Sequence, residues 1–283
     1  MRISVIIPSY NRIHTLDRAI DSVLNQDSEV DEIIVVDDGS TDNTSIHIAQ
    51  TYPRIKLIQQ SNQGVSAARN AGIRQAGFEW IAFLDSDDSW KPNKIYSIRQ
   101  AQQSQPEYRL FHSDEIWIRK GVRVNPMRKH QKSGGWIFHQ CLPLCVISPS
   151  AAVIHRSLLH LVGYFDEALP ACEDYDLWLK ICHQFPVAYI DKPLITKYGG
   201  HGDQLSGQFW GMDRFRIRSL HRLMQQQELN REQLFAAKSI LASKLEILLN
   251  GAKKHKNIEV IAEFTPMLDQ IQKPGSPQNS IAC

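Results

Sequence analysis

The sequence predicts an α/β fold with a mostly parallel central sheet flanked by helices, and three observations predict it. Short apolar runs at 3–7, 33–36, 55–58 and 80–84 alternate with segments of helical period, the order of a doubly wound sheet. The run at 3–7 is continuous rather than alternating, as expected of a parallel strand covered on both faces. Two of the runs end in acidic residues, Asp37-Asp38 and Asp85-Ser86-Asp87-Asp88, and open α/β sheets bind ligands at the carboxyl ends of their strands.

The elements follow in order. Ile3 to Ile7 is the first strand, and Pro8 ends it. Thr15 is placed to cap a helix whose Leu16, Ile20, Val23 and Leu24 share one face. The second strand, 33–36, leads into Asp37-Asp38-Gly39-Ser40, with Asp42 as the next helix cap. After the third strand, residues 64–76 form a helix of small residues carrying Arg69 and Asn70. The fourth strand delivers the acidic cluster, and Pro92 suits the first turn of a helix over 91–103. Residues 115–118 and 122–124 flank Lys120-Gly121 as a hairpin. The basic stretch 129–135 reads as mobile, 151–154 as a strand, and 175–181 as a short helix preceded by Glu173-Asp174. A boundary near Gly207 divides a domain over 1–207 from a helical region over 208–283, whose tail frays from Pro274.

Composition narrows the function classes. The chain has 283 residues, 42% of them hydrophobic, which suffices for one large α/β domain and an appendage. A net charge of +2 gives no nucleic-acid footprint. Five cysteines without paired metal spacing point to a reducing compartment. The apolar run before Pro8 is too short for a signal peptide. No run has the length of a membrane span. The expectation is a cytoplasmic protein, or one peripheral on the inner membrane face.

The acidic cluster carries the chemistry. Three carboxylates within four residues repel one another unless something positive sits among them, and a hard divalent cation is the usual answer. The bland alternative is a polar loop before the next helix. Five segments in chain order then resemble a family 2 glycosyltransferase of the GT-A fold. They are Val5-Ile6-Ile7-Pro8-Ser9-Tyr10-Asn11, Val35-Val36-Asp37-Asp38-Gly39-Ser40-Thr41-Asp42, Gly64-Val65-Ser66-Ala67-Ala68-Arg69-Asn70, Phe83-Leu84-Asp85-Ser86-Asp87-Asp88 and Glu173-Asp174-Tyr175-Asp176-Leu177-Trp178. The resemblance covers roughly the first two hundred residues and excludes the C-terminal helices.

The resemblance implies a GT-A, Rossmann-like sheet and a set of site residues. Pro8, Tyr10 and Asn11 would line a nucleotide pocket, with Tyr10 against the base. Asp37 or Asp38 would accept the imide hydrogen of uracil, Asp38 being favoured, and Arg69 would lie at the nucleotide beside small residues that admit a ligand. Asp87 would be the direct ligand of Mn²⁺ or Mg²⁺, Asp85 would contact the ribose or the metal, and His201 would reach the diphosphate or metal. Asp174 would be the general base that takes the acceptor's proton. Glu173 and Asp176 would be structural, placing negative charge at a helix N-terminus.

The expected activity is inverting, metal-dependent transfer of one sugar from a nucleotide sugar, UDP-linked by preference, to a hydroxyl of a glycan or lipid-linked acceptor. The Gln-x-x-Arg-Trp pattern of processive synthases is absent. The competing class is a non-catalytic sugar-nucleotide-binding module on the same fold, since fold alone does not give function. A nucleotidyltransferase is a third class, without a glycine-rich pyrophosphate loop to support it. An apolar stripe through Ile240, Leu241, Leu245, Leu248 and Leu249, followed by Lys253, Lys254 and Lys256, suits internal packing, an anionic membrane surface or a homodimer contact.

Overall fold

The structure is a computed structural model. It describes residues 1–272 apart from 126, 128, 129, 201, 203–206 and 208. The chain divides into two compact units, Met1–Phe209 and a second beginning at Trp210.

The first unit starts with β1 (Ile3–Ser9), α1 (Ile13–Leu24), β2 (Glu32–Asp37), α2 (Thr44–Thr51), β3 (Lys56–Gln59), α3 (Val65–Gln75) and β4 (Trp80–Phe83). It continues through β5 (Ser89–Trp90), α4 (Lys94–Ser104), β6 (Leu110–Arg119), β7 (Val122–Val124), α5 (Phe138–Cys141), β8 (Val153–His155), α6 (Arg156–Val162), α7 (Glu173–Cys182) and β9 (Ala188–Gly199). The strands form one sheet in the order β3-β2-β1-β4-β8-β6-β9-β5, with β7 on β6. The first four pair in parallel, as the sequence predicts. Beyond β4 the directions mix: β8 is antiparallel to β4 and β6, while β9 is parallel to β6.

Several local expectations shift by a turn. Pro8 lies inside β1 rather than ending it, opposite Val36. On the other side the pairing with β4 stops at Ile6 opposite Phe83, so the missing N–H costs no ladder bond. Helix α1 begins at Ile13 after Arg12, so Thr15 falls within its first turn. Asp42 does not cap α2 from the N-cap position, which Asn43 holds with a left-handed φ of 63°. Instead it bridges two helix starts, its Oδ1 accepting from the Thr44 N–H at 3.2 Å and its Oδ2 from the Ile13 N–H at 3.1 Å. Glu173 and Asp174 form the first turn of α7 itself. The small residues of α3 serve the sheet: Ser66, Ala67 and Ala68 are buried. A Cβ at Gly72 would lie 2.5 Å from Ile6 Cγ2, so helix and strand approach more closely than a larger residue allows.

The stretch 129–135, expected to be mobile, is tied down where it is described. Lys132 is buried against Glu115 at 2.9 Å, Ser133 O lies 2.9 Å from His112 Nε2, and Gly135 pairs with Val187.

The second unit contains α8 (Asp213–Gln226), α9 (Arg231–Lys254) and α10 (Ile258–Gln272). Asn230 and Gln233 close a capping box at the start of α9. Leu241, Leu245 and Leu249 are buried, so the apolar stripe is largely used inside this unit. Arg218–Glu263 at 2.6 Å and Lys244–Asp213 at 3.0 Å join its helices. Among the described residues no helix is long and apolar enough to cross a membrane.

Candidate active site

The carboxyl ends of β1, β2 and β4 lie side by side because these strands are neighbours in parallel. The loops that leave them are stitched together by short polar side chains. Asn11, at a φ of 53°, donates its N–H to Ser40 Oγ at 2.9 Å, and its Oδ1 accepts from the Thr41 N–H at 2.8 Å. Asp37 accepts from the Ser40 N–H at 2.9 Å and from Ser45 Oγ. Asp38 Oδ1 accepts from Gln60 Nε2 at 2.7 Å and from the Gln63 N–H at 3.0 Å, and its Oδ2 from the Gly64 N–H at 2.8 Å. Both aspartates are buried and engaged, so they fix the rim of the cleft. Tyr10, on the loop after β1, is 47% exposed.

The acidic turn follows β4. The Asp88 N–H donates to Asp85 O at 3.0 Å and closes the turn. Arg18 Nη2 donates to Asp87 O at 2.5 Å, and its guanidinium lies 3.8 Å from the Tyr198 ring centre. Arg69 is buried beneath the turn, with Nη2 on Asp85 Oδ1 at 2.7 Å and Nη1 on Glu173 Oε1 at 2.6 Å. The structure thus places Arg69, expected at the nucleotide, between two carboxylates. Its charge is spent on those two groups, Asp85 of the turn and Glu173 of α7.

Each carboxyl of the turn lives in a different field. Burial would push Asp85 up, but Arg69 and then Lys197 outweigh it and hold this carboxyl below its usual range. Asp88 is pushed up to about 8 by burial, which Lys197 only partly offsets, with Asp85 and Asp87 adding to the rise. Burial of Asp88 beside Lys197 and the pairing of Asp85 with Arg69 give the three carboxylates of the turn unlike surroundings, which eases their mutual repulsion. Ser150 Oγ donates to Asp88 Oδ2 at 2.7 Å and accepts from the Asp85 N–H at 3.1 Å.

A second acidic group faces the first. Asp174 begins α7, where the helix dipole favours negative charge. Cys145 Sγ lies 3.2 Å from Asp174 Oδ2 and 3.1 Å from Ile147 O, so its single S–H is shared between the two acceptors. The thiol is pushed well up by burial and by Asp174, so it stays a neutral donor. Glu173 is raised by burial, with Arg69 opposing and Asp174 assisting. Glu115 of β6 accepts from Ser148 Oγ and from Trp117 Nε1, and pairs with Lys132. Burial would raise Glu115, but Lys132 and Lys197 bring it down to about 2.

The structure thus joins Asp85, Glu173 and Asp174 through Arg69 and the first turn of α7, and it surrounds them with residues the sequence did not single out. These are Glu115, Lys132, Cys145, Ser150 and Lys197. The available signal was weak: one of three charges in β9 for Lys197, and one of two adjacent acids in β6 for Glu115. His201 lies outside the described residues.

Among the described residues no group of three or more His, Cys, Asp or Glu side chains is arranged to hold a metal. The donor set still fits a hard divalent cation brought with a diphosphate. Such ions take one or two carboxylates from protein and the rest from phosphate and water. Asp85 Oδ1 is taken by Arg69, which leaves Oδ2 for that use, and Asp87 is partly exposed at the turn.

Comparison with known proteins gives one consistent family. The family described as "Glycosyl transferase family 2" matches residues 4–134. WfgD of Escherichia coli is described as UDP-Glc:alpha-D-GlcNAc-diphosphoundecaprenol beta-1,3-glucosyltransferase. It is 33% identical over 199 residues, covering 69% of this chain and 76% of that protein. Staphylococcus aureus TarS 1-349, solved in complex with UDP-GlcNAc, aligns at a TM-score of 0.70 and 21% identity, over 96% of this chain and 79% of that one. The mannosyltransferase PcManGT of Pyrobaculum calidifontis, solved with GDP-Man and Mn²⁺, aligns at 0.57 and 19% identity, over 95% and 84%. At these identities the two structures speak for the fold alone. The chain spans about a third of the length of several other curated relatives that it matches.

Proposed function

Since the chain belongs to glycosyl transferase family 2, we propose that it moves a single sugar from a UDP-sugar to a hydroxyl of a lipid-linked or glycan acceptor, with inversion. The observation that carries this reading is the pairing of the acidic turn with Asp174. Arg69 holds Asp85 at 2.7 Å and Glu173 at 2.6 Å, and Glu173 is chain neighbour to Asp174. Donor end and base end are thereby fixed to one buried cation.

The division of labour follows from these environments. Tyr10 offers its face to the base, while Asp37, Asp38, Pro8 and Asn11 shape the rim around it. Asp87 and the open oxygen of Asp85 would hold Mn²⁺ or Mg²⁺, which supplies Lewis-acid stabilisation of a departing diphosphate. His201 would be a further contact to the same group. Asp174 takes the acceptor's proton as the new bond forms, and one such base suffices for a single displacement, which inverts the sugar carbon. The Cys145 thiol orients that carboxylate without competing for the proton. A pure binding module has no use for Asp174 held in this way.

The UDP donor and the diphospholipid acceptor named for WfgD motivate the substrate classes proposed here. A lipid-linked acceptor would place the enzyme at the cytoplasmic face of a membrane as a peripheral protein. The first unit would be the catalytic domain.

The test compares wild type, Asp174→Asn and Asp87→Ala in Mn²⁺-dependent transfer from a panel of UDP-sugars and in UDP binding. Asp174→Asn keeps the size of the side chain and should lower transfer by about two to four orders of magnitude. UDP affinity should stay near normal in that variant, and Asp87→Ala should lose the metal response. Wild-type transfer by Asp174→Asn would place the base elsewhere.

A further inference from the structure

Strand β9 brings a cation to the acidic turn that none of the roles above uses. Its pairing fixes where Lys197 lies. Thr196 sits opposite Ser89, the residue after the turn, and the Tyr198 N–H donates to Asp88 Oδ1 at 3.2 Å. Lys197 lies between these two tethers. On its other side it is opposite Trp117 of β6, two residues from Glu115 and therefore on the same face of the strand. The side chain is partly buried.

Burial opposes the charge of Lys197, yet Asp88, Glu115, Asp85 and Asp174, in that order, outweigh it and keep the ammonium protonated. None of these four carboxyls comes within ion-pair distance of it among the described residues. Each is engaged elsewhere: Asp88 with Ser150 and the Tyr198 N–H, and Asp85 with Arg69. Glu115 is taken by Lys132, Ser148 and Trp117, and Asp174 by Cys145 and the Tyr175 N–H. The field of four acids thus fixes the charge while leaving the ammonium's donors unspent. A lysine presents three donors on a flexible stem. An unspent one between metal-binding and base carboxylates suits an anion that arrives with substrate.

We propose that Lys197 is a substrate-contacting residue of this site, donating to the terminal phosphate of the nucleoside diphosphate as the sugar leaves it. The inference rests on the acidic turn being the diphosphate site, as proposed above. The sugar–phosphate bond breaks with its electron pair going to the phosphate oxygen, so negative charge grows there. A fixed positive donor at that point favours the departing state over the bound donor. The same chemistry would suit a phosphate of a lipid-linked acceptor, and the test separates the two sources.

The experiment measures binding of UDP, GDP and UMP by calorimetry at saturating Mn²⁺ to the full chain, as wild type, Lys197→Met and Lys197→Arg. Lys197→Met should weaken the preferred nucleoside diphosphate about tenfold or more, the worth of one charged hydrogen bond. UMP affinity should change by less than about threefold, and Lys197→Arg should recover most of the loss. In transfer assays kcat should fall more than KM rises. An unchanged diphosphate affinity in Lys197→Met overturns the proposal, and points to an acceptor phosphate if only the acceptor's KM rises. An equal loss for UDP and UMP also overturns it, since that is a disturbed site rather than a lost contact. If wild type binds neither diphosphate, the reading of the turn itself fails. Should Lys197→Met not fold, Lys197→Gln is held to the same thresholds.

Discussion

Arg69 and Lys197 are two cations at one acidic turn, and they are held in opposite ways. Arg69 lies beneath it with both terminal nitrogens locked at 2.6 and 2.7 Å on Glu173 and Asp85. Lys197 lies beside it, kept charged by four acids and bonded directly to none of them. A guanidinium's rigid fork suits a permanent double contact, whereas an ammonium on a long stem suits a contact made and released in each turnover. The difference separates a group that builds the site from a group that serves it.

The comparison can be broken most forcefully at Arg69. Arg69→Met leaves the buried Glu173 and the part-buried Asp85 without their partner, and should cost about 3–5 kcal/mol of stability in a urea titration. Lys132→Met removes a comparable buried cation from Glu115, but Ser148 and Trp117 still donate to that carboxylate. The expected loss is about 2 kcal/mol in the same titration. Lys197→Met should lose less than either, while exceeding Lys132→Met in its effect on UDP binding. The reverse ranking would make Lys197 a structural cation like Arg69.

A smaller effect tests the buried layer behind the turn. His112 is buried and pushed down to about 3 by burial and then by Lys132, and its Nδ1 has no hydrogen-bond partner among the described residues. Below its ordinary value of 6.5 the unfolded chain takes up a proton that the folded ring refuses. Stability should therefore fall as pH drops from 6.5 towards 3, by at most about 1.4 kcal/mol per pH unit from this group. Measuring urea midpoints at pH 7 and pH 5 for wild type and His112→Gln checks the sign. The substitution should remove part of the acid sensitivity; an identical pH dependence in both proteins would show that His112 titrates normally.

The sequence alone settled the parallel half of the sheet, the acidic turn at the end of β4 and the carboxylates that open α7. These are local signals. Continuous apolar runs report strands covered on both faces, and acids gathered within a few residues are visible without knowing where the chain goes next. It also placed Arg69 near the site, but not what Arg69 holds, because Asp85 and Glu173 lie far from it along the chain.

Only the tertiary structure decided which residues of β6 and β9 face the turn. The register between those strands shifts around Asp114. Continued regularly from Ser113 opposite Ile190, it would set Trp117 against Leu194; the shift sets it against Lys197 instead. In a pleated strand an odd slip exchanges the two faces, and Pro193, which cannot donate to a regular ladder, sits at the irregularity. Which face Lys197 presents is thus a property of the pairing. Composition and periodicity carry no record of it, because the partner strand that sets the register is distant in the chain.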